Sequence, residues 1–365
     1  MVVSDLHLGM RSGRDVLRGA DSRAPLLEAL ADVDRLVLLG DLLELRQGPV
    51  RDALARAQPV LSALAEALGS GGEVVIVPGN HDHHLLAGWL ERRARKDVPP
   101  ALGLEHAVDW RAGEPLAAVA RAMAPAGRVR AAYPGVWLRD DLYAMHGHYA
   151  DRHTTVPMFE RLGAGAMARL VRQPDGGPRA AEDYEAIQAP IYAWLHALAQ
   201  VGGPYLGASS HGASAQAWRT IAGGRDGGRR PWRRRAAIAS FPVLVAALNR
   251  AQIGPLRADL SGPELRRAAL RAVGEVVGRL GIEARQVIFG HTHRAGPLAS
   301  DDQAEWRAPG AAALLNTGCW VHEPSFLGPR PAESPYRAGF AARLGDEGPA
   351  ELVNLLDGTR ARVPA

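Results

Sequence analysis

Acidic, histidine and asparagine side chains recur in five short blocks spread over the 365-residue chain. Together they offer carboxylate, imidazole and amide ligands, a mixture that suits borderline divalent ions such as Mn, Fe, Zn or Co. A purely oxygen-seeking ion such as Ca matches this mixture less well. In chain order the blocks are Asp5-x-His7, Gly40-Asp41-x-x-Glu44, Gly79-Asn80-His81-Asp82, His146-Gly147-His148 and Gly290-His291-Thr292-His293. One such block carries little information, but five in order predict a metal centre.

The first three blocks each follow a short apolar run that is typical of a β-strand. These runs are Val2-Val3, Arg35 to Leu39 and Glu73 to Val77. Between them, Ala24 to Leu30 and Val50 to Leu68 carry apolar residues at helical spacing, which predicts a βαβαβ arrangement with a parallel sheet. Sites in such sheets form at the carboxyl ends of the strands. We therefore expect the first three blocks to meet in one crevice.

Two later sets of strands precede the remaining blocks. Val136 to Leu138 and Leu142 to Met145 flank a polar turn, so we expect an antiparallel pair that ends at His146. A third set is predicted to begin at Val287 to Phe289 and to continue through Ala311 to Leu315. The last block directly follows the first strand of this set.

The middle of the chain has a different character, because it is rich in Ala, Arg and Gly. Helical patterns occur at Ala181 to Val201, Ala236 to Gln252 and Pro263 to Leu280. The predicted organisation is a core in two parts, residues 1–150 and 285–365, separated by a mostly helical insertion, residues 151–284.

The composition is that of a globular protein. Hydrophobic residues make up 47% of the chain and charged residues 22%, which excludes a disordered chain. Cys319 is the single cysteine, so an intrachain disulfide is excluded, no disulfide-linked partner is expected and a reducing compartment such as the cytoplasm is favoured. The apolar start from Met1 to Val3 is too short for a secretory signal, and no run reaches the roughly 18 apolar residues that a membrane span needs.

The five blocks resemble the pattern of the calcineurin-like metallophosphoesterase family, which reads DxH, GDxx(D/E), GNH(D/E), a lone His and GHxH. The resemblance covers about Met1 to Ala150 and Gln286 to Thr317. It implies an α/β sandwich of two mixed β-sheets flanked by helices, and a phosphoric ester hydrolase with two divalent metal ions. Attack of a metal-bridging hydroxide on a phosphate ester or pyrophosphate is the implied reaction.

The resemblance also implies a ligand set, taken over position by position. The first metal is expected to bind Asp5, His7 and His293, the second Asn80, His146 and His291, and Asp41 is expected to bridge the two. A shared carboxylate helps to hold two mutually repelling cations at a spacing of roughly 3.5 to 4 Å. Either histidine of the His146-Gly147-His148 block could be the ligand. His146 is favoured because it directly follows the strand, which leaves His148 as a supporting or substrate contact.

Catalytic roles follow from the same resemblance. His81, next to ligand Asn80, is expected to protonate the leaving group or to steady the transition state. Glu44, three residues after Asp41, matches the acidic residue that orients this histidine. A carboxylate bonded to one ring nitrogen fixes the tautomer and raises the basicity of the imidazole. The alternative for Glu44 is a solvated charge at the start of a helix.

The residues of three blocks resemble one branch of the family more specifically. SDLHLG at Ser4 to Gly9, GDLLE at Gly40 to Glu44 and GHTHR at Gly290 to Arg294 are similar to the branch that contains UDP-2,3-diacylglucosamine hydrolase. The chain departs from that enzyme at His81, where Arg is common. The branch favours a nucleotide- or lipid-linked substrate. Specificity is expected to lie in the insertion, because a two-metal core is indifferent to what lies beyond the phosphate.

Basic residues leave several interpretations open. Residues 229–248 join an Arg- and Trp-rich run to an apolar helix, which could rest on an anionic membrane or a lipid, or could pack on the core. Arg11, Arg14 and Arg294 follow metal motifs and could clamp a substrate phosphate, or could lie at the surface.

A nuclease of the same family is a competing function, although a net charge of +4 argues against extensive binding of a nucleic-acid backbone. The second competing function is a non-catalytic scaffold that binds a protein, although scaffolds of this kind lose metal ligands that this chain retains.

Overall fold

Ten β-strands form two mixed sheets in the part of the chain that the structure describes. The structure is a computed structural model and describes residues 1–157, 159–171, 176–200, 242–251, 254–259 and 261–358. The strands are β1 (Val2–Val3), β2 (Arg35–Leu39), β3 (Glu73–Val77), β4 (Glu105–Val108), β5 (Arg128–Arg139), β6 (Leu142–Met145), β7 (Gln286–Phe289), β8 (Ala313–Asn316), β9 (Phe340–Arg343) and β10 (Glu351–Asn354).

Helices flank the sheets and form most of the described insertion. They are α1 (Ala20–Leu30), α2 (Val50–Leu68), α3 (Ala87–Ala94), α4 (Pro115–Ala122), α5 (Phe159–Leu170), α6 (Ala181–Gln200), α7 (242–250), α8 (Gly262–Arg279) and α9 (Pro324–Leu327). Helix α2 shows why they form, since Ala57, Leu61, Leu64 and Leu68 recur at helical spacing and are all buried.

Strand β5 belongs to both sheets, because its two halves pair with different neighbours. Residues 128–131 run parallel to β3 and continue the parallel series β1, β2 and β3. Residues 135–139 run antiparallel to β6, which is followed by the parallel strands β7 and β8. The parallel series and the antiparallel pair confirm the sequence-based predictions. Strands β4, β9 and β10, which pair with β5 and β1 and with each other, were not predicted.

Both faces of the central strands β2 and β3 are buried, which explains why each is apolar at every position after its first residue. In β2, Val37 and Leu39 join a cluster that also holds Ile288 of the second sheet, so this face lies between the sheets. The alternate residues Leu36 and Leu38 join a larger cluster that includes the buried faces of α1, α2 and α8. The predicted α/β sandwich with helices on the outside is confirmed.

Helix α8 packs with the core although the predicted insertion 151–284 includes it. It precedes β7, and its buried Leu270, Val273 and Val277 belong to the same cluster as Phe289 of β7. The helix therefore serves the crossover that parallel strands β6 and β7 require. The division into domains stays a prediction, and the described helices beyond the core are α5, α6 and α7.

The insertion is described in part. Helices α5 and α6 share a small apolar cluster of Ala164, Ala168 and Ile187. Of the predicted lipid-contact segment 229–248, residues 229–241 lie outside the described residues. In the remainder, Val243 and Leu244 of α7 are 69% and 54% exposed. Among the helices that the structure describes, none is both long and apolar enough to cross a membrane.

Candidate metal centre

Five turns at the carboxyl ends of strands bring the predicted ligands together. Three of these turns follow β1, β2 and β3 in the first sheet, and two follow β6 and β7 in the second. Because the sheets pack face to face, side chains from both reach one edge of the sandwich. In the described part of the chain, three groups of three residues have ligand atoms within 4.8 Å of one another in each group: Asp5, His7 and His293; Asp41, His146 and His291; and His7, Glu44 and His81.

The backbone of these turns is strained at the ligands themselves. Five residues have left-handed φ angles, which non-glycine residues rarely adopt: Asp5 (54°), His7 (45°), Asp41 (49°), His291 (68°) and His293 (58°). Each such residue costs of order 1–3 kcal/mol. Ala311 is the one other non-glycine residue with positive φ in the described part of the chain. Strain that is concentrated at five ligand positions indicates that the geometry of the turns serves a function.

Two glycines allow the turns to approach each other closely. A Cβ atom at Gly40, where φ is +81°, would overlap the imidazole ring of His146. A Cβ atom at Gly290 would overlap the carboxylate of Asp5. The glycines of the second and fifth blocks are therefore needed so that backbone and ligand can share this space.

The first cluster joins the turns after β1 and β7. The Nε2 atoms of His7 and His293 lie 3.1 Å apart. His293 Nε2 is also 3.3 Å from Asp5 Oδ1. Two ring nitrogens and one carboxylate oxygen therefore lie close together, and the role of this group as ligands of a first metal stays a prediction.

The second cluster joins the turns after β3, β6 and β7. Asn80 Oδ1 lies 3.1 Å from His146 Nε2 and 3.1 Å from His291 Nδ1. Asp41 Oδ2 lies 3.4 Å from the same nitrogen of His146. This oxygen also faces the first cluster, at 3.7 Å from His7 Nε2. The structure thus places Asp41 between the two clusters.

Partners outside the clusters set the tautomers of three histidines. His7 Nδ1 donates to Glu44 Oε2 (3.3 Å). His146 Nδ1 donates to the carbonyl oxygen of Leu39 (3.1 Å). His291 Nε2 donates to Oδ1 of Asp151 (2.7 Å). In each ring the other nitrogen faces the cluster and is the one that could bind a metal, which is the arrangement that metal-binding histidines take.

The atoms that converge in the second cluster fit a divalent ion. The Oδ1 atom of Asn80 points at one ring nitrogen of each of two histidines, and a cation that displaces any proton there would be bound by all three atoms at once. If the amide oxygen and nitrogen of Asn80 exchanged places, the nitrogen would donate to His146, His291 and Asp41. An amide that binds a metal does so through its oxygen, so the observed orientation is the one that an Asn ligand takes. A site with both nitrogen and oxygen ligands suits Mn, Fe, Zn or Co.

The electrostatics of the clusters also favour cations. Burial is the largest influence on the pKa of Asp41 and favours its neutral form, but His146 and His81 outweigh it and hold the pKa well below its usual range. Burial likewise opposes the charged form of His146, yet Asp41 and Asp5 raise its pKa to about 9. The carboxylates are therefore ionised, and protons compete with metal for the imidazoles.

Glu44 contacts both the first cluster and His81. Its Oε2 accepts from His81 Nδ1 (2.9 Å) as well as from His7, and its Oε1 accepts from the backbone nitrogen of Arg46 (2.9 Å). Burial raises the pKa of Glu44, but the two histidines outweigh burial and keep the carboxyl ionised. The His81 side chain is 28% exposed, and its backbone nitrogen donates to Asp41 Oδ1 (2.7 Å). The accessible imidazole of His81 thus lies beside the two clusters, and its Nδ1 is hydrogen-bonded to Glu44.

Two of the three arginines predicted to clamp a phosphate form ion pairs elsewhere. Arg14 Nη1 lies 2.7 Å from Glu323 Oε2. Arg294 donates twice to the carboxylate of Asp301, at 2.6 and 3.1 Å. Arg11 is exposed. Their substrate roles stay predictions, and the ion pairs of Arg14 and Arg294 compete with any phosphate for the guanidinium groups.

His148 belongs to neither cluster, although its ring centre lies 5.6 Å from that of His146. It is 2% exposed, and its Nε2 donates to the hydroxyl of Tyr133 (3.1 Å). Its carbonyl oxygen accepts from Gln188 Nε2 of α6 (2.9 Å). Burial, followed by His146 and His291, holds the pKa of His148 well below its usual range. The ring is therefore neutral and faces the insertion.

Sequence reasoning missed two residues that touch the candidate ligands. Asp151 bonds His291, and its position three residues after His148 is the only local signal. Arg46 lies two residues after Glu44, and its Nη2 donates to the carbonyl oxygen of Asn80 (2.6 Å). No spacing rule identifies either contact, because each depends on packing between distant segments.

Comparisons with known proteins agree with this geometry. A family model described as calcineurin-like phosphoesterase matches residues 1–295, which include every residue of both clusters. A search of the curated proteins found no match. The family predicted from the five blocks is confirmed, and the His and Asp groups are compatible with the metal dependence of its members. The chain belongs to the calcineurin-like phosphoesterase family and is a metal-dependent phosphoric ester hydrolase.

Proposed function

We propose that the protein is a binuclear phosphoesterase that hydrolyses a phosphate ester or a pyrophosphate. The observation that carries this proposal is the position of Asp41. Its Oδ2 lies 3.7 Å from His7 Nε2 of the first cluster and 3.4 Å from His146 Nε2 of the second. One carboxylate oxygen that faces both clusters is what a bridging ligand between two ions requires.

The seven proposed ligands divide between two ions. Asp5, His7 and His293 would hold the first, Asn80, His146 and His291 the second, and Asp41 both. Two bound divalent ions supply Lewis-acid activation of a phosphoryl oxygen and of the attacking water. Mn, Fe, Zn and Co all suit this set of nitrogen and oxygen ligands.

His81 is the proposed general acid. Glu44 accepts the Nδ1 proton of His81 over 2.9 Å, so Nε2 is the nitrogen that exchanges a proton with the substrate. Burial lowers the pKa of His81, and the carboxylate of Glu44 opposes that shift and stabilises the imidazolium form, which is the form that donates to the leaving oxygen. Glu44 is a positioning residue in this scheme, because it acts through His81 and His7.

The substrate that we favour is a nucleotide- or lipid-linked phosphate, with the insertion setting specificity. Helix α6 contributes Tyr192, whose ring lies 5.1 Å from the guanidinium carbon of Arg46. Arg46 in turn contacts the turn that carries Asn80 and His81. Exposed Val243 and Leu244 of α7 offer an apolar surface for a lipid. A cytoplasmic location with peripheral membrane contact fits this proposal.

Metal analysis and a substrate screen test the proposal together. We expect two ions per purified chain, and hydrolysis of p-nitrophenyl phosphate or its bis-ester with Mn(II) or Zn(II). Asp41→Asn should abolish turnover, because it removes the shared charge between two cations. Asp141→Asn is the control, since that exposed carboxylate pairs with Arg139 in the turn after β5. Full activity of Asp41→Asn would refute the site.

The competing functions give different results in the same experiments. A chain that binds no metal and hydrolyses no ester would be a scaffold. Salt-sensitive DNA binding with DNA hydrolysis would identify a nuclease. Liposome binding that disappears when residues 229–248 are deleted would support a lipid-linked substrate.

A further inference from the structure

One hydrogen bond connects the start of the insertion with a candidate metal ligand. His291 Nε2 donates to Oδ1 of Asp151 over 2.7 Å. Asp151 is 3% exposed, so little water competes for this bond. The bond leaves Nδ1 of His291 facing Asn80 Oδ1 at 3.1 Å, inside the second cluster.

Asp151 lies in a short 3-10 turn, His148–Arg152, which helix α6 holds at two points. Gln188 Nε2 donates to the carbonyl oxygen of His148 over 2.9 Å. Glu185 Oε1 accepts from the hydroxyl of Tyr149 over 2.8 Å. Both α6 side chains are on the inserted part of the chain, so the insertion fixes the turn that carries Asp151.

Helix α6 is itself anchored to the core through Glu185. Its Oε2 accepts from His83 Nε2 over 3.0 Å, and its Oε1 also accepts from the hydroxyl of Tyr133 in β5. His83 is two residues beyond His81. The insertion is therefore attached to the same edge of the sandwich that carries the candidate ligands.

We propose that Asp151 is a positioning residue for His291, and that helix α6 holds Asp151 so that the insertion controls how tightly the second metal ion binds. This inference rests on the proposed binuclear function. A carboxylate that accepts from one ring nitrogen orients the imidazole and makes the other nitrogen a better ligand. His291 belongs to the second cluster, so loss of Asp151 weakens one ion and spares the other.

Metal binding by the full chain tests the inference without hydrolysis. Chelator-treated protein is titrated with Mn²⁺ by calorimetry. Loss of such a supporting partner costs about 10- to 100-fold in metal affinity, so Asp151→Ala should weaken one of two Mn²⁺ sites by that factor. Asp151→Asn keeps an accepting oxygen and should fall between Asp151→Ala and the wild type. Gln188→Leu, which releases the turn from α6, should weaken the same site by less than Asp151→Ala.

Electron paramagnetic resonance shows whether the variant has lost one ion of the pair and kept the other. Two Mn²⁺ ions in the wild type should give a spin-coupled signal, and Asp151→Ala at the same metal concentration should give the signal of isolated ions. Glu114→Gln is the control, because that carboxylate pairs with Arg92 and accepts from the backbone of Arg111. It should leave both affinities unchanged. Circular dichroism shows whether each variant is folded.

Three outcomes would overturn the inference. If the wild type binds two ions and Asp151→Ala binds both with unchanged affinity, the role of Asp151 is contradicted while the binuclear proposal stands. An equal loss at both sites contradicts a selective effect on the second ion. A wild type that binds one ion contradicts the binuclear proposal itself. If Asp151→Ala does not fold, Asp151→Asn decides, and it must weaken one site selectively.

Discussion

Two buried polar regions lie next to each other at this edge of the molecule, the metal centre and the junction of helix α6 with the core. In the candidate metal centre, Asn80 Oδ1 lies 3.1 Å from one ring nitrogen of His146 and 3.1 Å from one of His291. At the junction, Glu185 accepts hydrogen bonds from His83 and from two tyrosine hydroxyls. Similar residue types therefore form a candidate cation site in one region, and in the other anchor a helix through one carboxylate that three donors share.

The two regions also differ in whether their protons must leave. Burial opposes the charge of His146, but Asp41 and Asp5 raise its pKa to about 9, so metal must displace a proton there. At the junction, burial and then Glu185 raise the pKa of Tyr133 well above its usual range. That hydroxyl stays a donor at neutral pH, so the hydrogen bond to Glu185 persists without a ligand. Changes in the first region should therefore affect chemistry, and changes in the second should affect stability.

The largest expected effect is on the rate of hydrolysis. His81→Ala removes the proposed general acid and should lower kcat about 10²- to 10⁴-fold. Both metal ions and the melting temperature should be retained, because His81 is not among the proposed ligands. Steady-state kinetics and metal analysis measure the two quantities. The control is His106→Ala, whose ring accepts from the backbone of Gly103 in the β4 region. Loss of metal from His81→Ala would show that the role is structural.

The second effect concerns stability. Glu185→Ala leaves three buried donors without their acceptor and should lower the free energy of unfolding by about 3 kcal/mol. Glu185→Gln keeps one accepting oxygen and should cost less. Urea denaturation followed by circular dichroism provides the values. Glu182→Ala on the same helix is the control, because its side chain is 43% exposed and should cost less than about 1 kcal/mol. A Glu185→Ala protein as stable as the wild type would remove the distinction between the two regions.

The smallest effect concerns pH. Burial, and then nearby Arg279 and Arg152, lower the pKa of His153 to about 3, and its Nε2 lies 2.7 Å from the hydroxyl of Tyr184. The unfolded chain binds this proton near pH 6.5, so the folded protein loses stability as the pH falls from about 6.5 towards 3. His153→Gln should remove about 1 kcal/mol of that loss between pH 7 and 5, after allowance for partial exposure.

Denaturation midpoints of both proteins across this pH range give the comparison. His84, whose pKa burial and neighbouring histidines lower to about 4, changes stability in the same direction and remains in both proteins. Parallel curves for the wild type and His153→Gln would contradict the assignment of this pH dependence to His153.

Local patterns in the sequence were sufficient for much of the site. The bounds of β1, β2 and β3 agree with the predicted runs to the residue, because an apolar run followed by a polar turn is a local signal. The five blocks identified the family, which the family model confirms. Strands β4, β9 and β10 were not predicted. Their pairing with β5 and β1, rather than a distinctive local pattern, defines them.

The sequence by itself determined which residue types stand at the ends of which strands, and hence the chemistry of the candidate ligands. Only the tertiary structure decided what holds those ligands. Asp151 and His291 are 140 residues apart, as His83 and Glu185 are 102 apart. Periodicity and turn preferences act over a few residues, whereas these hydrogen bonds exist because separate segments pack against one edge of the sandwich.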